Sequence, residues 1–314
     1  MVDTALPSGR RAARAAYAVE RLTDAESIRP LLAPEGAYAA FGLAHLSPRL
    51  FDRGEWWSAS GPTGAPGRGP VWARLGGSPG RALVLHAGGG LGHAMLTVGD
   101  PTALDAILCL HPGPRFSFAG FRPEHLDTME RHFFLARKEL MVRMSVTRET
   151  LRPVQGEATR LLGRDIGRIN RLYSAQGGQS TYTSRHIDDG VYYGVIVEDR
   201  LVSIAGTHVN APAERVAVVG NVFTHPRYRG GGLATIATSA VTGALLQHCD
   251  LVALTVEANN APALAVYGKL GYGQVCTLYE TTAVRKDALG LLSGIRRIAA
   301  GWRGRREGRE IVVR

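Results

Sequence analysis

Three consecutive glycines, Gly230-Gly231-Gly232, stand where main-chain chemistry is possible. Val216 to Phe223 is an apolar, β-branched run that predicts a strand. Pro226 forbids its continuation. From Leu233 to His248 the residues Leu233, Ile236, Ala237, Ala240, Val241, Ala244 and Leu245 recur at helical spacing. The glycines therefore fall at a helix N-terminus. There the first N–H groups lack partners and the dipole is positive, so the place suits an anion. Glycine lets the backbone approach a phosphate and adopt positive φ. Arg227 and Arg229 add charge beside it. A P-loop would close on Gly-Lys-Ser/Thr, and this chain has Gly232-Leu233-Ala234. A dinucleotide fingerprint would place a third glycine where Thr235 stands.

A third loop type fits. Arg227-x-x-Gly230-x-Gly232 resembles the pyrophosphate loop of the GNAT N-acyltransferases, Arg/Gln-x-x-Gly-x-Gly/Ala. A strand predicted over Leu251 to Val256 leads into Asn260-x-x-Ala263-x-x-x-Tyr267-x-Lys269-x-Gly271-Tyr272. That stretch resembles the other GNAT motif at every position, one helix and one strand after the glycines. The resemblance covers Leu151 to Thr282. It implies an α/β fold with a mixed, mostly antiparallel sheet flanked by helices.

It also implies a reaction, transfer of an acetyl group from acetyl-CoA to a primary amine by direct attack in a ternary complex, without a metal. In that family the pantetheine arm pairs with backbone groups, here those of Val222, Phe223 and Thr224. The pyrophosphate rests on N–H groups from Gly230, Gly231, Gly232, Leu233 and Ala234 to Thr235. Asn260 hydrogen-bonds the cofactor arm, and Tyr267 supplies the proton for the departing thiolate. A phenol of pKa about 10 suits that role.

The general base stays open. Some members place a Glu five residues before the motif Asn, where this chain has Thr255. Glu257 lies two residues on, on the same strand face. It acts through water or is a solvated strand end. His208 and His225 are further candidates. Tyr182, Arg185 and His186 follow the domain's first helix, where this family shapes its acceptor pocket; the other reading is a solvated loop. With the base incomplete, a non-catalytic acyl-CoA-binding regulatory module remains the alternative function.

The elements that must position these residues follow the family order. A helix over Glu157 to Tyr173 precedes a hairpin of Val191 to Val197 and Leu201 to His208. Next come the strand ending at Thr224, the two motifs, and a strand pair over Gln274 to Val284. The first half, residues 1–146, carries no enzyme motif. Its predicted order is helices near Thr23 and over Tyr38 to Leu46, strands at Val71–Leu75, Ala82–His86 and His93–Val98, a helix at Pro101–Leu110, a strand at Phe116–Phe118, a helix at Pro123–Phe134 and a strand at Met141–Val146. The order parallels that of residues 147–284, which implies a degenerate GNAT-like half. Gly88-Gly89-Gly90-Leu91-Gly92 mimics a phosphate loop, but an alternating run follows it, so a hairpin turn is predicted.

The 314 residues are 45% hydrophobic and 20% charged, with net charge +10. From Arg285 onward there are nine Lys/Arg and three Asp/Glu, so the tail alone carries +6. A phosphate-bearing cofactor accounts for part of the remainder. No basic groove with interleaved aromatics points to nucleic acid. Three scattered cysteines predict a reducing cytoplasm without disulfides. Arg10-Arg11 lacks the apolar run of an export signal. In the tail, 285–314, Lys286 to Trp302 reads as a basic amphipathic helix with Leu292, Ile295, Ala299 and Trp302 on one face. It either docks on the first half or touches an anionic membrane surface.

Overall fold

The structure is a computed structural model describing residues 16–61, 80–89, 92–176, 182–305, 308 and 310–313. The predicted strand Val71–Leu75 lies outside the described residues, as do Gly90 and Leu91 of the glycine run.

The first half runs β1 (Ala16–Leu22), α1 (Ala25–Leu32), α2 (Ala40–Ala44), α3 (Pro48–Phe51), β2 (Gly54–Ser60), β3 (Arg81–Gly89), β4 (Gly92–Gly99), α4 (Pro101–Leu110), β5 (Phe116–Phe121), α5 (Leu126–His132), β6 (Phe133–Leu135) and β7 (Glu139–Val146). The second runs β8 (Thr159–Leu161), α6 (Ile166–Tyr173), α7 (Ser184–Asp189), β9 (Tyr192–Val197), β10 (Arg200–Ala211), β11 (Val216–Thr224), α8 (Leu233–Leu245), β12 (Leu251–Glu257), α9 (Ala261–Lys269) and β13 (Gly273–Arg285). The tail adds α10 (Leu291–Arg303) and β14 (Glu310–Val313). Local chemistry sets the starts. Asp24 caps α1 by accepting from Ser27 N–H. Asp100 caps α4 by accepting from Thr102 and Ala103 N–H, with Pro101 in the first turn.

All described strands join one mostly antiparallel sheet, in the order β14-β1-β2-β3-β4-β5-β13-β7-β12-β11-β10-β9-β8, with β6 on β13. Two neighbouring pairs are parallel, β4 with β5 and β11 with β12. Each pair flanks a crossover helix, α4 or α8, at the same place in its half. The repeated element order is thus visible in the fold. The last strands are exchanged between halves: β7 pairs with β12 of the second half, and β13 pairs with β5 of the first. A further pairing, β7 with β13, seals the seam.

Helices cover both faces. Residues of β12, α8 and α9 share one core, including Val252, Leu254, Ala237, Val241, Tyr267 and Tyr272. On the opposite face, Ala37, Ala40 and Ala44 from the first half pack on Val209, Val218 and Ala253. This face of the second half's sheet is therefore covered by the first half.

Four expectations change. The predicted helix Glu157–Tyr173 begins only at Ile166; Thr159–Leu161 is a strand paired with β9, and the Asp165 carboxylate accepts from Leu162 N–H at the turn between them. The predicted strand pair over Gln274–Val284 is one long strand, bulged between Gln274 and Cys276. The helix predicted over Pro123–Phe134 ends at His132, because Phe133 turns extended to pair with β13. Finally, β1, β2 and β14 form strands the sequence reading did not predict. The glycine decoy is a hairpin, with Gly89 opposite Gly92.

Candidate active site

The site begins where β11 and β12 part. They pair in parallel from Val216–Leu251 to Val219–Leu254 and no further, although β11 continues to Thr224 and β12 to Glu257. Two bulges open the gap. Opposite Ala205, β11 carries both Asn221 and Val222, and β10 carries His208 as an extra residue between Thr207 and Val209. Asn221 takes φ 56°, a conformation that asparagine tolerates better than most side chains. Three tyrosines hold it there. The Tyr173 hydroxyl donates to its carbonyl at 2.6 Å, Tyr182 donates to its Oδ1, and its Nδ2 donates to the Tyr192 hydroxyl at 3.0 Å. Burial raises all three phenols, Tyr192 to about 12.

Beyond the gap the chain turns through Pro226–Tyr228 into the glycines. Gly230 and Gly232 take φ 85° and 76°, which other side chains resist. A Cβ at either would meet nothing within 4 Å, and at Gly231 nothing closer than 3.8 Å. The loop is open, and α8 starts directly behind it at Leu233. No described side chain caps that helix, so the first N–H groups of Leu233, Ala234 and Thr235 remain for a ligand. Arg227 and Arg229 are both exposed beside it. The Arg229 Nε donates to the Thr224 carbonyl at 3.2 Å, and its guanidinium lies 5.9 Å from the Phe223 ring centre. These features fit a pyrophosphate carrying an extended arm. In the first half the matching helix start is different: the Asp100 carboxylate occupies the N–H groups of α4. An anionic cap there repels phosphate.

On the far side, Asn260 caps α9, its Oδ1 accepting from Ala263 N–H at 3.1 Å, which leaves its Nδ2 for a ligand. One helical face on, Tyr267 is 7% exposed against Tyr272, with ring centres 6.0 Å apart. Burial pushes its phenol up to about 12. Glu257 is exposed at the end of β12.

Across the other sheet face runs a row of polar side chains. His208 lies over Gly220, where a Cβ would sit 2.0 Å from its Nε2. Continuing from the last paired residues, Gly220 stands level with Thr255, and Thr255 is opposite Arg143 on β7. The His208 ring is solvent-accessible, with protein crowded around part of it. That crowding first, and the Arg143 charge second, lower its pKa. Arg143 is buried, and its Nε has no partner among the described residues. Half-buried Glu280 shares this face; burial raises its pKa, while Arg143 and the Thr255 hydroxyl draw it back. Neither Arg143 nor Glu280 belongs to a readable motif, since their meeting depends on the strand exchange.

The remaining candidates divide. His225 accepts from Arg227 N–H through Nδ1 and closes its own turn. Arg185 forms a surface ion pair with Asp189 at 3.6 Å. His186 caps α7 with Thr183 and meets the Tyr182 ring edge-on. Of the three substrate-side candidates, Tyr182 reaches the bulge.

Residues 168–272 match the model of the Acetyltransferase (GNAT) family. This segment is a GNAT domain. Similar solved structures extend the likeness along the chain. A GCN5-related N-acetyltransferase from Sphaerobacter thermophilus is 14% identical with TM-score 0.53, covering 86% of this chain and 96% of its own. A Drosophila protein is 12% identical with TM-score 0.57, covering 85% and 98%. An acetyltransferase of the GNAT family from Novosphingobium aromaticivorans is 22% identical with TM-score 0.47, covering 61% and 84%. At these identities the first two likenesses show a shared fold over most of the chain. No curated protein matches this sequence.

Proposed function

We propose that this protein transfers an acetyl group from acetyl-CoA to a primary amine within a ternary complex. The observation that carries the reading is the parting of β11 from β12 beyond Val219 and Leu254, directly ahead of an open glycine loop on a helix N-terminus. The exposed edge of Val222, Phe223 and Thr224 would take the pantetheine arm as an added strand takes its neighbour. Gly230 to Thr235 would hold the pyrophosphate, with Arg227 and Arg229 beside it. Asn260 would bind the arm, and Tyr267 would face the sulfur. We read the chain as two GNAT-like halves, 1–146 and 147–284, with a tail, 285–314. We place it in a reducing cytoplasm, which the free cysteines Cys109, Cys249 and Cys276 suit.

His208 is the base this reading favours. It stands at the opening, on the acceptor face, and its lowered pKa keeps it neutral near pH 7. Glu257, exposed on the same face, would serve through water. A phenol near 12 gives its proton to a thiolate of about 8.5 only uphill. Tyr267 therefore works as a hydrogen-bond donor to sulfur as negative charge develops there. The test is an amine panel followed by free CoA release, run on wild type and Tyr267→Phe. Turnover with at least one amine, reduced in the variant, supports the reading. Binding of acetyl-CoA without turnover on any amine would favour a regulatory module instead.

A further inference from the structure

Helix α10 is built inside out for a helix on a protein surface. It packs against α4, and its buried residues are small, Ser293 and Ala300. Its large apolar side chains point the other way: Leu291, Leu292, Ile295, Ile298 and Trp302 are 65, 56, 66, 65 and 71% exposed. At about 100° per residue, Ile295, Ile298 and Trp302 lie opposite the Ser293–Ala300 stripe. Arginines border this face on both sides, Arg296 and Arg303 on one and Arg297 and Arg305 on the other. The Arg305 guanidinium sits 5.4 Å from the Trp302 ring centre.

The helix is held in this orientation. The Asp287 carboxylate caps it by accepting from Leu292 and Ser293 N–H. Downstream, β14 pairs with β1 at the sheet edge, and Arg303 donates to the Ile311 carbonyl at 3.3 Å. An apolar face this size costs solubility unless something covers it.

We propose that α10 is an interfacial anchor that lies in the plane of an anionic lipid surface. Charge selects this occupant. Arginine rows flanking an aromatic and aliphatic strip match lipid headgroups around acyl chains, and long arginine stems reach back to the headgroups. A second copy would bring the same arginines against each other. No described helix is long and apolar enough to cross a membrane, so the attachment is peripheral. The inference is independent of the acyl-transfer reading.

The test is flotation of the full chain with vesicles of phosphatidylcholine and phosphatidylglycerol at 3:1, beside pure phosphatidylcholine. The account expects binding to the anionic vesicles, a blue shift of tryptophan emission, and loss of most binding between 0.1 and about 0.5 M salt as screening rises. Ile295→Glu with Trp302→Glu should cut binding at least about tenfold, and Arg296→Glu with Arg297→Glu likewise, each with wild-type melting because these side chains are exposed. Equal, weak binding to both vesicle types would overturn the proposal. So would a concentration-dependent dimer that Ile295→Glu abolishes, since the occupant would then be a second copy.

Discussion

At the scale of single residues, two ionisable groups divide the proposed chemistry by environment. Tyr267 is packed into the core that carries α8 and α9, and its phenol stays protonated across any working pH. Replacing it with Phe removes one donor at the site of developing charge and should lower kcat by about 100-fold or more. Acetyl-CoA affinity should change little; equal kcat in the two proteins contradicts the role. His208 lies beside Gly220 with a pKa below its ordinary 6.5. Its neutral form predominates above that value, so kcat/KM should fall as pH drops through it. His208→Gln should lower the rate and erase this acid limb, whereas Glu257→Gln should keep it. A pH profile of the three proteins checks the assignment. The place of Tyr267 on its helix is legible, because its motif is contiguous. The place of His208 is not, because it depends on a bulge that no spacing announces.

At the scale of elements, the glycine loop and its helix were readable, since strand, proline, turn and helix follow one another without long-range help. The apolar spacing of Leu161 and Leu162 carries the predicted helix back to Glu157, while tertiary pairing with β9 pulls Thr159–Leu161 into the sheet. Long-range pairing also hid β1 and β14, which stabilise each other from opposite ends of the chain. The strand exchange is the largest feature beyond local reading. Nothing in Met141–Val146 says that its partners are Val252–Glu257 and Gly273–Leu278. It yields a prediction: residues 147–314 alone lack β7, so β12 and β13 expose unpaired edges. That piece should aggregate or remain unfolded by circular dichroism and size-exclusion chromatography. A folded, monomeric piece that binds acetyl-CoA would show the exchange to be dispensable.

For the whole molecule, the buried histidines His45, His86 and His125 give stability a pH dependence. Burial is the first cause in each, and it lowers their pKa values, that of His86 to about 4. A histidine depressed on folding binds fewer protons than in the unfolded chain. Its contribution is present above about 6.5 and is lost as pH falls toward the folded value. For His86 alone the loss is about 3 kcal/mol. Tm should therefore hold from pH 8 to 7 and drop steadily between 6.5 and 4; a flat Tm over that window contradicts the packing described.

The central claim concerns the splayed strands and the glycine loop together, and it is best tested at Gly231. Unlike Gly230 and Gly232 it does not need positive φ, and a side chain there meets no close neighbour. Gly231→Val should leave the fold intact and only obstruct what approaches the loop. Titration calorimetry of acetyl-CoA into wild type and Gly231→Val is the direct measurement. The account predicts one site in the wild type and affinity at least about tenfold weaker in the variant, some 1.4 kcal/mol or more, at equal Tm. No binding to the wild type, or equal binding to both proteins, would contradict it.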